Sequence, residues 1–293
     1  MKRAVFLVWS AVLLGVGFSV QAKTLKVLMI GNSFSVCVLR EMPACAASMP
    51  GCTLDLCSLY IGGCSLERHW RNLSTEEAAF RPYAVKWSYA TVKDRAKAPV
   101  AAAVVEGKAN IPEVLRADRW DVVTIQQASH ESWKPASYHP FGDRLVEKIR
   151  ELAPQARIVV QQTWSYTPYD ARLKKWGFDQ NEMYRRLREA YAAFAAQHGL
   201  SLIPMGDAVQ LFRAARPSPD GITGDPCGNP TGRDKFHLNR NGEYLQACTW
   251  LAALFEVDVT KLTYTPSYMS AEEAACMRRC AQKAVENGRV ARK

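Results

Sequence analysis

Five short apolar runs, residues 25–30, 53–60, 121–125, 156–161 and 202–204, recur along the chain with helix-like stretches between them. The runs are apolar on both faces, which suits strands that must be covered on both sides. Strands alternating with helices at this spacing predict a parallel sheet packed between helices. The expected helices cover 36–48, 111–117, 141–152, 181–198, 206–214 and 241–255, with a last one from 271. Met183, Leu187, Tyr191 and Phe194 fall on one face of the long fourth segment from 181 to 198. Residues 80–105 break the rhythm. The stretch 84–92 alternates like a strand, and 101–105 could pair with it as a hairpin. The predicted architecture is therefore a three-layer α/β/α sandwich with a mostly parallel five-stranded sheet and a small β insertion.

In such sheets the ligand site lies at the carboxyl ends of the strands. The first run ends in Gly31-Asn32-Ser33, a tight turn with a serine just before a helix. A serine hydroxyl becomes a nucleophile when a base sits beside it and donors hold the oxyanion it creates. The same segment reads equally as a helix start capped by Ser33 or Ser35. Two hundred residues later, Asp234 and His237 lie three residues apart. His237 could take a serine proton while Asp234 orients the ring. The alternative is a helix-initiating Asp and a surface His. The loops after the first three strands and the Asp234 loop are expected to meet at one edge.

The remaining composition narrows the setting. Lys2 and Arg3, the apolar stretch 4–20 and Val20-Gln21-Ala22 form the pattern of a cleaved secretory signal peptide over residues 1–22. Residues 23–293 then form one domain, exported to the periplasm or secreted, without stable membrane insertion after cleavage. The net charge of +10 is scattered rather than run together, so nucleic acid is not an expected partner. Nine cysteines are many for an exported chain, and the odd count leaves at least one unpaired within a single chain. Their pairing and the oligomeric state stay open. With no CxxC pair and no Cys/His cluster at zinc spacing, no metal and no organic cofactor are expected.

The two blocks together resemble the SGNH, or GDSL-like, hydrolase superfamily. That superfamily places its serine in a Gly-Asp-Ser or Gly-Asn-Ser turn and an Asp-x-x-His near the C-terminus. Gly31-Asn32-Ser33 and Asp234-Lys-Phe-His237-Leu238 with Gly242 fit both. The resemblance spans residues 26–255 and implies a flavodoxin-like sheet and a Ser33, His237, Asp234 triad. It further implies an oxyanion hole from the Ser33 N–H and the N–H of a glycine after the second strand, Gly63, with Gly62 one residue away. The third block departs. Where the superfamily has Gly-x-Asn-Asp, this chain has Ala128-Ser129-His130-Glu131. His130 falls at the position of the oxyanion asparagine, and Gln127 is a second candidate donor. The chain looks most like a divergent exported bacterial branch that begins Gly-Asn-Ser-Phe-Ser and carries Gln-Gln-x-Ser-His.

The activity this implies is hydrolysis of an ester, in an exported setting one borne by poly- or oligosaccharide, such as acetyl or methyl groups. Asn32, Trp70, Trp133 and Trp164 are candidate substrate contacts, with Trp176 beside them. Aromatic faces stack on sugar rings, although large aromatics also fill cores. His69 beside Trp70 could line the cleft, whereas His139 and His198 read as surface or packing residues. Glu67, Glu131 and Asp170 are the available carboxylates for a glycosidase pair, with nothing to fix their separation. A lipid or thioester hydrolase on the same triad, and an inactive scaffold that binds glycan, are the alternatives.

Overall fold

The computed structural model describes residues 22–75, 80–217, 223–228 and 234–290. The expected signal peptide lies outside them except for Ala22. Strand β1 (Lys23–Gly31) runs into a short helix α1 (Ser33–Val36), and α2 (Met42–Ala47) follows. Next come β2 (Cys52–Tyr60), α3 (Leu66–Leu73), β3 (Tyr83–Tyr89), β4 (Lys108–Ala109) and α4 (Ile111–Ala117). Then β5 (Val122–Ile125), α5 (Phe141–Leu152), β6 (Arg157–Gln161), α6 (Ala171–Trp176) and α7 (Gln180–His198). The chain continues through β7 (Ser201–Ile203), α8 (Met205–Ala215), α9 (Arg240–Phe255) and α10 (Ala271–Val290).

The strands form one seven-stranded sheet in the order β4-β3-β2-β1-β5-β6-β7. β2, β1, β5, β6 and β7 are mutually parallel, as the apolar runs predict. The inserted strands are not a separate hairpin. β3 pairs antiparallel with β2 and extends the same sheet to seven strands, with β4 outside it. The partner of β3 also differs from the expected 101–105. Pro99–Ala103 coil into a 3-10 turn, and the short hairpin turns at Glu106-Gly107, both at positive φ. Proline cannot donate to a ladder, so the extended pairing begins only beyond it.

The expected helix 36–48 is likewise broken. Ser33 starts α1, residues Cys37–Arg40 tighten to 3-10, and α2 restarts with Pro43 in its first turn, where a missing N–H costs nothing. α9 is buried almost all round, from Gly242 to Phe255, and packs against α2, α8 and α10. A helix apolar on every side must lie inside the molecule, and α10 supplies its outer cover. All nine cysteines are free thiols. Among the described residues no helix is long and apolar enough to cross a membrane.

The topology fixes where chemistry can occur. From β1 the chain moves to β2 on one side, then returns to β5 on the other. The crevice between β1 and β5 at their carboxyl ends is a topological switch point, the ordinary ligand position in such sheets. Ser33 lies two residues past the end of β1 at that crevice.

Candidate active site

The Ser33 turn is held by the residue before it. Asn32 is buried, and its Oδ1 accepts from the Phe34 N–H at 3.0 Å, so Asn32 and not Ser33 caps α1. The same oxygen accepts from Gln126 Nε2. Its Nδ2 donates to the Cys64 carbonyl at 2.9 Å. One side chain thus ties together the turns that follow β1, β2 and β5. At 1% exposure it is a brace between turns, away from the expected substrate contact. A Cβ at Gly31 would run into Ser35 Oγ and come within 3.1 Å of Ser35 Cβ, so a larger residue here would force that serine to shift. Freed from capping, the Ser33 hydroxyl is half-buried and faces the crevice.

His237 Nε2 lies 2.8 Å from Ser33 Oγ, and His237 Nδ1 lies 2.8 Å from Asp234 Oδ2. A carboxylate only accepts, so Nδ1 carries the proton and Nε2 is left to accept from the serine. The other carboxylate oxygen of Asp234 accepts from the N–H groups of Phe236 (3.1 Å) and His237 (3.0 Å). Burial alone would push the Asp234 carboxyl up. The two backbone donors and the His237 ring outweigh it and hold the group below its ordinary value. Asp234 therefore stays charged beside the ring. The structure brings the three residues of the expected triad into one hydrogen-bonded line.

Two backbone donors lie in the turns that Asn32 ties together. Gly63 adopts φ +60, a conformation that glycine enters without cost, in the tight turn closed by Cys64 N–H to the Ile61 carbonyl at 3.3 Å. Among the described residues neither the Ser33 N–H nor the Gly63 N–H has a hydrogen-bond partner. Gly62 sits exposed one residue before.

The third block resolves differently for its two candidates. Gln127 Oε1 accepts from the N–H groups of Leu66 (3.0 Å) and Ala128 (2.8 Å). Its Nε2 donates to the Ser137 carbonyl at 2.7 Å and to Ser137 Oγ at 3.0 Å. Every polar atom of that buried amide is engaged, so Gln127 is a brace and not an oxyanion donor. His130 is the opposite. Its side chain is 48% exposed, makes no hydrogen bond among the described residues, and has only Glu131 at 4.0 Å.

Of the tryptophans expected to stack on sugar, the structure removes Trp164 and leaves the others partly exposed. Trp164 is fully buried, stacked on Phe34 at 4.2 Å, and its Nε1 donates to the Phe236 carbonyl at 2.8 Å. It supports the loop of Asp234 and His237 from beneath. Trp133 is half-buried in a cluster with Trp176 and Phe178, and Trp70 is half-buried against the core from α3. Among the described residues the large exposed aromatic is Tyr169, 56% exposed in the loop after β6. His69 does not line a cleft. It is fully buried, with Nδ1 2.9 Å from the Tyr83 hydroxyl. His139 and His198 both bond Asp143 at the surface. Glu67, Glu131 and Asp170 each pair with a neighbouring cation, Arg71, Lys134 and Arg172.

Gln126 was overlooked in the sequence. The parallel register sets Ile30 opposite Ile125, which puts the next residues, Gly31 and Gln126, side by side. Among the described residues no three His, Cys, Asp or Glu side chains converge as metal ligands would.

Residues 26–284 match the family described as "Domain of unknown function (DUF4886)". The crystal structure of a DUF4886 family protein from Bacteroides uniformis is 30% identical and superimposes with a TM-score of 0.74, covering 90% of this chain and 95% of its own. A protein described as a candidate SGNH hydrolase from Slackia heliotrinireducens is 24% identical, with a TM-score of 0.52 over 79% of this chain and 100% of its own. The second likeness is one of fold. No curated protein matches the sequence.

Proposed function

This chain belongs to the DUF4886 family, and we propose that it acts as a serine ester hydrolase. The observation that carries this reading is the unbroken line from Asp234 through His237 to Ser33, with both contacts at 2.8 Å. Ser33 Oγ attacks the ester carbonyl while its proton passes to His237 Nε2. The N–H groups of Ser33 and Gly63, joined by the His130 ring, hold the oxyanion. Collapse breaks the carbon–oxygen bond, and the leaving alkoxide takes the proton from His237. Water then gives a proton to His237 as its oxygen attacks the acyl-serine. A second collapse releases the acid and returns the proton to Ser33.

The substrate class belongs to the same proposal. We assign the ester to a carbohydrate, with acetyl or methyl groups as the part removed. Tyr169 supports this, because its exposed ring lies in the loop whose Thr167 N–H bonds the Lys235 carbonyl of the catalytic loop at 3.0 Å. An exported location, from the N-terminal pattern, would bring the chain to such polymers. The test compares the native chain with Ser33→Ala on nitrophenyl acetate and on acetylated xylan. Loss of ~10³-fold or more in kcat is expected for the variant. Equal rates in the two chains would overturn the hydrolase reading.

A further inference from the structure

The loop that carries Asp234 and His237 has no helix or strand of its own, yet two catalytic contacts depend on where it sits. Its residues are half exposed. The neighbouring loop after β6 grips it at successive positions. The Thr167 N–H donates to the Lys235 carbonyl at 3.0 Å, and Trp164 Nε1 donates to the Phe236 carbonyl at 2.8 Å. The third contact is of another kind. The Arg172 guanidinium lies 4.0 Å from the centre of the Phe236 ring and 4.2 Å from that of Tyr166. Tyr166 and Phe236 are themselves 5.3 Å apart, so the cation sits in the angle between two aromatic faces.

Arg172 is fixed there from behind. Its Nε donates to Asp170 Oδ1 at 2.8 Å and its Nη2 to Asp170 Oδ2 at 2.6 Å, a two-pronged pair. Asp170 also caps α6, accepting from the Arg172 N–H at 2.9 Å, so the carboxylate is tied to the start of a helix. Phe236 is a lever on the chemistry, because its N–H bonds Asp234 and its ring packs 4.1 Å from that of His237.

We propose that Arg172 is a positioning residue: held by Asp170, its guanidinium clamps Phe236 against Tyr166 and so sets the place of Asp234 and His237. A guanidinium is needed, because only a planar, forked cation presents faces to two rings while its edge meets a carboxylate. Lysine keeps the charge and loses that geometry. The kinetic side of this inference rests on the hydrolase reading, and its geometric side does not.

The test measures hydrolysis of nitrophenyl acetate and, separately, the low-field Nδ1–H proton resonance of His237. Arg172→Met is expected to lower kcat about 10–100-fold with KM changed less than about twofold, as misplacement of a reacting group does. It is also expected to broaden or abolish the His237 resonance. Arg172→Lys is expected to restore little of either. In a Phe236→Leu background, Arg172→Met should add nothing further, since its point of action is gone. Should Arg172→Met fail to fold, Tyr166→Leu removes one face of the clamp and is expected to give the same pattern in weaker form. An unchanged kcat and resonance in a folded variant, full rescue by lysine, or independent effects in the double variant would overturn the clamp. A native chain without Ser33-dependent turnover whose His237 resonance still responds to Arg172→Met would overturn the hydrolase reading and leave the clamp standing.

Discussion

The loops after β5 and β6 leave the carboxyl ends of adjacent parallel strands, and they do the same work for different partners. The β5 loop looks like the chemical one, since Gln127 and His130 stand where an oxyanion donor is wanted. Gln127 instead spends its whole amide on Leu66, Ala128 and Ser137, and Gln126 holds Asn32. The β6 loop looks like a set of aromatic faces for a ligand. Trp164 is instead buried and bonded to Phe236, and Thr167 bonds Lys235. One loop braces the serine turn and the other braces the histidine loop. A site assembled from two segments far apart in the chain needs a brace for each, because catalysis requires both partners within hydrogen-bond reach at once.

The largest effect should come from the residue the β6 loop serves. Asp234→Asn keeps an oxygen for the Phe236 and His237 N–H groups but offers an amide where His237 Nδ1 needs a carboxylate. The expected loss in kcat is ~10³–10⁴-fold with stability changed by less than about 1 kcal/mol. Steady-state kinetics beside a urea titration measure both. A large loss of stability instead would mean that Asp234 is chiefly a loop brace, and the division of labour between the loops would break down.

The next comparison lies inside the β5 loop. His130→Ala removes an exposed ring with no hydrogen bond, so stability should hold while kcat falls about 10²-fold, the cost of one oxyanion donor. Gln127→Leu should do the reverse. It strands the N–H groups of Leu66 and Ala128 and the Ser137 carbonyl, at a cost of about 2–4 kcal/mol in urea unfolding. The folded fraction should keep kcat within about threefold. If His130→Ala leaves kcat untouched, the β5 loop has no direct chemical part at all.

Much of this was legible in the sequence for a physical reason. A nucleophile turn and its base demand few residue types at fixed spacing, so Gly31-Asn32-Ser33 and Asp234-x-x-His237 announce themselves. Parallel strands need apolar residues on both faces, so the five parallel strands did too. What stayed hidden depends on partners far away in the chain. Trp164 reads as a loop aromatic until Phe34 is found stacked on it. Asn32 reads as a ligand contact until Cys64 and Gln126 claim its amide. β4 has two residues, too few for any periodicity to show, and the exposed Val105 before it imitates a strand. Arg172 is one cation among many until its two rings are in place.

His69 offers the finest test of how the β5 loop is supported, because it lies on the helix whose first N–H bonds Gln127. Burial, helped by the nearby Arg68 charge, pushes its imidazole down to about 3. The unfolded chain would titrate that ring near about 6.5. Between those values the unfolded state binds a proton that the folded state refuses. Stability from this group is therefore complete above about pH 6.5 and falls as pH drops toward 3, by about 1.4 kcal/mol per pH unit. His69→Gln keeps an acceptor for the Tyr83 hydroxyl and removes the titration. Near pH 7 the variant should be somewhat less stable than the native chain, since a shaped ring is lost from the core. Toward pH 4 the gap should close and then reverse, as the native chain carries a slope that the variant lacks. Urea midpoints at pH 7, 5.5 and 4 read this directly. Parallel slopes in the two chains would mean that the ring finds a way to charge inside the fold, and α3 would then be a looser support for Gln127 than its packing implies.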